Sequence, residues 1–209
     1  MPRILSVQSH VAYGYVGGKA AVFPLQLLGY DVDVVNSVNY SNHSAYRRIG
    51  GTKTTADDLN RLFATMAQNE LLSPDRLLTG TRLPIYLDLD SSSVGYIPGA
   101  GPLNAVADLA RKLRAQNPNL VYLLDPVMGD AGLLYVASDV IPVYRSMLPF
   151  ATIITPNWFE VEYVLSILPI CLNFNLLQDS HAGLPCRFPF AEARPRNSPY
   201  RLSGPQRCD

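Results

Sequence analysis

Two carboxylates follow a short apolar run in the second half of the chain. The run Leu120–Leu124 ends at Asp125, and Asp130 closes the segment DPVMGD. A continuous apolar run of this length predicts a strand that is buried on both faces, which would place both carboxylates at the edge of a sheet. Hard oxygen ligands of this kind suit Mg²⁺ that is bound together with phosphate groups. The alternative is that Asp125 caps the following segment and Asp130 is a turn residue.

A similar arrangement follows the next apolar run, Thr152–Ile154. The segment Thr155–Glu160 (TPNWFE) contains a Thr-Pro-Asn turn that opens a helix, with Glu160 in the first helical turn. Its hydroxyl, amide and carboxylate groups could contact phosphates or a cation. A helix dipole favours a glutamate at that position without any function, so both interpretations stay open.

Two segments nearer the N-terminus suit a small polar ring. Ser6–Gly18 (SVQSHVAYGYVGG) has hydroxyl groups and also glycines, which let a ligand approach the backbone. Asn36–Ser44 (NSVNYSNHS) is dense in side chains that form hydrogen bonds. We interpret them as loops after the first two strands, although an ordinary turn explains each nearly as well.

The elements that would position these segments alternate between strand and helix. The predicted strands are Ile4–Val7, Asp31–Val35, Arg76–Leu78, Leu120–Leu124 and Thr152–Ile154. The predicted helices are Gly17–Leu28, Thr55–Gln68, Pro102–Gln116 and one from about Trp158. This alternation predicts a largely parallel sheet with helices on both faces. Such sheets bind ligands at the carboxyl ends of their strands, where all four segments are expected.

Length and composition predict one globular domain. The chain has 209 residues, of which 48% are hydrophobic and 16% charged. The formal net charge of zero gives no basic surplus for nucleic acid. No apolar stretch approaches the roughly 18 residues of a membrane span, and the N-terminal run is too short for a signal peptide. We therefore expect a cytoplasmic protein that binds neither nucleic acid nor membrane.

Two stretches depart from the alternating pattern. Thr81–Gly95 lengthens a connection that should be short. Residues 163–209 contain six prolines, show no sustained period and hold all three cysteines. Because the number of cysteines is odd and no CxxC pair occurs, a disulfide framework and a zinc site are both disfavoured. We expect an irregular tail with free thiols.

Four stretches of the sequence resemble one family. They are SVQSHVAYGYVGGKAAVFPLQLLGYDVDVVNSVNYSNHSAY, LLTG, DPVMGD and ITPNWFEVE. In wording and order they are similar to the pyridoxal kinases of the ribokinase-like superfamily. The resemblance implies an α/β fold, a three-layer α/β/α sandwich with a mostly parallel central sheet, incomplete at the C-terminus. It makes 1–162 the N-terminal part of a kinase domain, 81–95 an insert and 163–209 a tail from outside the family.

The resemblance also implies a binding site for vitamin B6. Ser9 would lie against the B6 ring, and Val16 and the segment of His43 and Ser44 would close over it. Ser44 stands where many relatives have threonine, so the hydroxyl is kept. Tyr96 matches the aromatic residue that packs on the ring.

A second set of residues would bind ATP. By the same resemblance these residues are Asp125, Asp130, Thr155, Asn157 and Glu160. Asp125, Asp130 and Glu160 would also hold Mg²⁺, Glu160 through water, and a monovalent cation such as K⁺ is possible.

The implied reaction moves the γ-phosphoryl group of ATP to the 5′-hydroxymethyl of pyridoxal, pyridoxine or pyridoxamine. It belongs to pyridoxal 5′-phosphate salvage, and the family is usually homodimeric. Two alternatives are a non-catalytic B6-binding or dimerising fragment, and a related kinase that acts on hydroxymethylpyrimidine.

The family's catalytic base does not occur in this sequence. Relatives supply it from a late Gly-Thr-Gly-Asp segment, which is absent here, so no catalytic residue is assigned. Removing Thr81–Gly95 restores the family wording Leu-Thr-Gly-Tyr. We therefore hypothesise that 81–95 and 163–209 are retained intron sequence, against the alternative of a divergent member with its own C-terminus.

Overall fold

The computed structural model describes residues 1–44, 46–80, 97–130 and 132–165. The predicted insert 81–95, the proposed ring-packing residue Tyr96 and residues 166–209 lie outside these ranges. The predictions about those segments therefore remain predictions. None of the helices in the described ranges has the length and apolar character needed to cross a membrane.

A six-stranded sheet forms the centre of the fold, with strand order β3-β2-β1-β4-β5-β8. All its neighbouring strands are parallel except the antiparallel pair β2 and β3. A separate hairpin pairs β6 with β7. The strands are β1 (Arg3–Val11), β2 (Asp31–Tyr40), β3 (Gly51–Lys53), β4 (Arg76–Thr79), β5 (Val121–Leu124), β6 (Gly129–Asp130), β7 (Leu133–Leu134) and β8 (Ile153–Ile154).

Helices cover both faces of this sheet. The helices are α1 (Gly18–Leu27), α2 (Ala56–Gln68), α3 (Ala100–Gln116), α4 (Val140–Met147) and α5 (Trp158–Leu165), with a 3₁₀ turn at Leu148–Phe150. On one face α2, α3, α4 and α5 pack side by side in that order. On the other face α1 packs against β1 and β2. The predicted three-layer α/β/α fold is confirmed.

The larger core lies under α2, α3 and α4. It is built from the apolar face of α3, where Leu103, Val106 and Leu113 are each at most 2% exposed, and from strand residues such as Leu5 and Val7. A smaller cluster lies on the α1 face and contains Ile4, Ala21 and Leu78. The main core therefore stabilises the face that carries α4 and α5.

The first two strands are longer than predicted, so part of each segment that was interpreted as a loop is strand. β1 continues to Val11 and β2 to Tyr40, so Ser9 lies on a strand and not in a loop. The backbone pairing of the two strands continues past polar residues, with one register shift between Gln8 and Ser9. Apolar runs mark only where a strand is buried among apolar neighbours, and here the buried strand turns polar towards its carboxyl end.

Candidate functional site

Four of the five predicted ring-binding residues meet in one pocket beyond β1 and β2. Ser9, Val16, His43 and Ser44 line it. Its other lining residues are Val11, Val38 and Tyr40. The cavity measures about 10 Å³, which is roughly the space of one water molecule. A ring could therefore enter only if one of the two loops around the pocket moved outward.

Gly17 packs closely against Ser9 at this pocket. Its φ of +52° lies in the left-handed region, and a Cβ built there would stand 2.3 Å from the Ser9 carbonyl oxygen and 2.4 Å from the Ser9 Oγ. Only glycine fits so close to another backbone without a shift. The contact holds Ser9, which is 2% exposed, directly under the segment that carries Val16.

Hydrogen bonds within the segment 41–50 position the other side of the pocket. The Asn42 side chain donates to the carbonyl oxygens of His43 at 3.2 Å and Arg48 at 3.1 Å. The Ser41 amide donates to the Gly50 carbonyl at 2.8 Å, and the Gly50 amide donates to the Ser41 hydroxyl at 3.0 Å. The segment is thus folded on itself, which places His43 and Ser44 without any ligand.

Asp125 directly follows β5, at the same carboxyl edge of the sheet as the pocket but two strands away from β1. Its amide donates to the Thr79 carbonyl at 2.9 Å, and its side chain is buried, with the residue 1% exposed. Gly80 follows β4 with a φ of +63°, and a Cβ there would lie 2.3 Å from the Asp125 carbonyl oxygen. The backbone of β4 therefore approaches Asp125 closely, and glycine is required for that approach.

Asn157 and Glu160 form a reciprocal cap at the start of α5. Glu160 donates its amide to Asn157 Oδ1 at 2.8 Å, and Asn157 donates its amide to Glu160 Oε2 at 2.9 Å. The same side chains also bind the 125–130 segment. Met128 donates its amide to Glu160 Oε1 at 2.9 Å, and Asn157 Nδ2 donates to the Gly129 carbonyl at 2.8 Å. Glu160 is 2% exposed.

Thr155 and Asp130 complete the predicted nucleotide residues. Thr155 is exposed and donates its amide to the Leu124 carbonyl at 3.1 Å. Asp130 is half-buried in β6. Together with Asp125 and the cap of α5, both therefore lie around the carboxyl ends of β5 and β8, the arrangement that the sequence predicted.

The geometry limits the kind of metal site that these residues could form. Within the described ranges, no three His, Cys, Asp or Glu side chains lie close enough together to hold a metal ion. Glu160 already accepts an amide on each carboxylate oxygen. The donor set fits a cation that takes one or two carboxylates and completes its shell with water and nucleotide phosphates. It does not fit a metal site in which protein groups supply every ligand.

Two buried tyrosines of this region, Tyr122 and Tyr144, were not recognised from the sequence. Burial raises the pKa of Tyr144 well above its ordinary value, and the nearby Asp125 charge raises it further. Burial likewise raises the pKa of Tyr122, whose hydroxyl lies 2.9 Å from the Thr79 Oγ1. Tyr122 was hidden within an apolar run, and Tyr144 belongs to α4, which the sequence analysis did not predict.

The chain is similar to proteins of known class over most of its length. The pyridoxal kinase of Arabidopsis thaliana is 45% identical over 161 residues, which are 77% of this chain and 47% of that protein. The human pyridoxal kinase is 42% identical over 165 residues, with shares of 77% and 48%. The chain spans about half the length of the curated relatives it matches. No family model matches.

Solved structures agree with these relatives. The pyridoxal kinase of Leishmania donovani, in complex with ADP and pyridoxamine, gives a TM-score of 0.67 at 37% identity, over 79% of this chain and 54% of that one. The pyridoxal kinase of Trypanosoma brucei gives 0.65 at 34% identity, with shares of 78% and 52%.

The mostly parallel sheet with helices on both faces, together with these structural matches, places the chain among the ribokinase-like α/β proteins. Within that class, the matched part of the chain is similar in both sequence and structure to the pyridoxal kinases. The resemblance inferred from the sequence is thereby confirmed.

Proposed function

We propose that this chain supplies the B6-binding and phosphate-binding parts of an ATP-dependent pyridoxal kinase. The observation that carries the proposal is the pocket in which Ser9, Val16, His43 and Ser44 meet. The pocket opens at the same sheet edge as Asp125, where a phosphate donor would be held. The reaction would transfer the γ-phosphoryl group of ATP to the 5′-hydroxymethyl of pyridoxal, pyridoxine or pyridoxamine.

The residues beyond β1 and β2 and the residues after β5 and β8 would bind different reactants. The hydroxyls of Ser9 and Ser44 and the imidazole of His43 would bind the polar ring substituents. Thr155, which is exposed just before α5, would face the phosphates, because helix N-termini favour anions. Phosphoryl transfer depends mainly on positioning and on neutralising charge, and both depend on how the two sides are held together.

Asp125 and Asp130 would hold Mg²⁺ together with the nucleotide phosphates. Mg²⁺ would neutralise phosphate charge when bound. Without the cation, the negative charges of the two carboxylates would repel the phosphates, so nucleotide binding at this place would depend on the cation. A monovalent cation, a homodimer and a cytoplasmic location are further parts of the proposal, carried by the family resemblance.

A second candidate function is a non-catalytic B6-binding or dimerising fragment. It is favoured by one observation, the absence of a Gly-Thr-Gly-Asp segment from the 209 residues. A single assay separates the two candidates: the purified chain with pyridoxal and Mg-ATP, followed for pyridoxal 5′-phosphate. Turnover above a no-enzyme control would support the kinase. Binding of substrate without turnover would support the fragment, and a folded chain that binds neither ligand would contradict both.

A further inference from the structure

Three consecutive residues of the 125–130 segment are each bound by a side chain from a neighbouring helix or its cap. Met128 gives its amide to Glu160 at 2.9 Å, and the Gly129 carbonyl accepts from Asn157 at 2.8 Å. The Val127 carbonyl accepts a long hydrogen bond of 3.5 Å from the Tyr144 hydroxyl. We call the side chains of Tyr144, Asn157 and Glu160 the loop clamp.

Two members of the clamp are buried, and the third, Asn157, is half-buried. Tyr144 and Glu160 are each 2% exposed, so water does not readily replace their bonds to the loop. Glu160 is itself oriented by the Asn157 amide, and Asn157 by the Glu160 amide. Hydrogen bonds to an ionised carboxylate are about twice as strong as neutral ones, which makes Glu160 the strongest member and Tyr144 the weakest.

We infer that Glu160 is a positioning residue, which acts on the nucleotide site by clamping the 125–130 segment and not as a ligand of the cation. Asn157 and Tyr144 share this role. Each Glu160 oxygen accepts an amide of the protein, so the direct partners of this side chain are protein groups, and the predicted contact with a cation would be made only through water. It rests on the proposed function only for its effect on nucleotide; the clamp itself is independent of ligand.

The first test measures the clamp without any ligand, by residue-resolved amide exchange of the ¹⁵N-labelled chain. In Glu160→Gln, the Met128 amide should exchange about 10-fold faster or more, because the neutral amide side chain cannot accept both backbone bonds. Amides in the middle of α3 should keep their wild-type rates. Glu162→Gln is the matched control, since Glu162 is exposed on the same helix.

Two results would overturn the clamp. One is unchanged exchange at Met128 in Glu160→Gln. The other is an equal acceleration throughout the chain, which would show a loss of global stability and no local role. Asn157→Asp gives a second variant that keeps the acceptor for the Glu160 amide but replaces the donor to Gly129 with a carboxylate oxygen, and it should speed exchange in 128–130 while α3 is unaffected.

The second test separates positioning from metal binding, by titrating ATP with and without saturating Mg²⁺. A positioning role predicts that Glu160→Gln weakens ATP binding by a similar factor in both conditions, and that extra Mg²⁺ does not restore it. A loss confined to Mg²⁺-containing samples, reversed by higher Mg²⁺, would contradict the inference. If the wild-type chain binds no ATP, the proposed nucleotide site fails, whereas the exchange experiment still judges the clamp.

Discussion

The two ends of the candidate site are held in place by different kinds of interaction. At the β1–β2 end, the pocket is shaped by close backbone contact at Gly17 and by loops that leave little space, about 10 Å³. At the β5–β8 end, the 125–130 segment is bound by buried side chains of α4 and α5 and by the half-buried Asn157 that caps α5. The comparison indicates that the proposed nucleotide end is formed in advance, whereas the proposed substrate end must open to admit a ring.

Two capping boxes show the same contrast on a smaller scale. At α2, Thr55 and Asp58 bind each other's backbone amides, and Asp58 is 45% exposed in its side chain. At α5, Asn157 and Glu160 repeat that local pattern, but Glu160 is buried and also binds Met128. One box only starts a helix. The other connects a helix start to a loop that is distant in sequence.

The largest effect should come from Asp125→Asn. Removing the buried carboxylate should weaken Mg-ATP binding by about 100-fold, in the range seen when one member of a buried charge pair is lost. Pyridoxine binding should change less than about 2-fold, because the pocket at the other end is unaffected. Calorimetric titration of each ligand measures both. Asp139→Asn, an exposed aspartate, is the control, and an equal loss of both ligands would contradict the separation of the two ends.

Gly17→Ala tests the close contact at the substrate end. A Cβ 2.3 Å from the Ser9 carbonyl oxygen requires a backbone shift. The strained φ and that shift together should lower the free energy of unfolding by about 2 kcal/mol, and pyridoxine binding should fall with it. Urea unfolding gives the value.

Gly29→Ala is the matched control for that variant. Gly29 also has a positive φ, +84°, but a Cβ added there would meet no atom within 4 Å. It should cost only the strain of the backbone angle, about 1 kcal/mol. If both variants lose the same stability, the Ser9 contact does not matter.

Ser9→Ala tests the hydroxyl in the pocket. Loss of one hydrogen-bonding group should weaken pyridoxine binding by about 5- to 10-fold, which is the usual size for a single neutral bond. Mg-ATP binding should stay as in the wild type. Ser73→Ala, at an exposed serine, is the comparison. Unchanged pyridoxine affinity would remove Ser9 from the site.

The smallest effect is expected at the exposed capping box. Hydrogen bonds from the Thr55 side chain, and then from its amide, lower the pKa of Asp58 below its ordinary value of 3.8. Because the folded pKa is lowered, the stabilisation is fully present above about pH 4 and is lost as pH falls through the folded pKa. Asp58→Asn should therefore unfold at a lower urea concentration at pH 7, and the difference should shrink near pH 3.

Asp57→Asn, an exposed neighbour in the same turn, is the control for that experiment. It should show a smaller difference from the wild type at pH 7. A gap between Asp58→Asn and the wild type that stays constant with pH would contradict the assigned cause.

The sequence predicted the frame of the molecule well where a single pattern governs an element. The apolar face of α3 and the cap at Thr55 are local signals, and both helices lie where they were predicted. The helix α4 was missed, since Pro142 stands inside its short span. The extension of β1 beyond Val7 was missed because Gln8 and Ser9 are polar yet buried.

The sequence predicted where the candidate residues lie along the chain, but not the hydrogen bonds that connect them. Asn157 and Glu160 could be identified from the spacing of a capping box, since a capping residue three positions before an acidic one is a local signal. Their bonds to Met128 and Gly129 join residues about thirty positions apart. Such contacts depend on tertiary packing, which no local pattern encodes. Tyr96 lies outside the described ranges, and its role stays a prediction.

The central claim is that one chain presents a B6 pocket beyond β1 and β2, and titration of pyridoxine tests it most directly. Pyridoxine lacks the aldehyde that would react with surface lysines, so the measured heat reports the pocket. We predict saturable binding with one site per chain, unaffected by Asp125→Asn and weakened by Ser9→Ala. A folded wild-type chain, verified by circular dichroism, that gives no saturable binding would contradict the account.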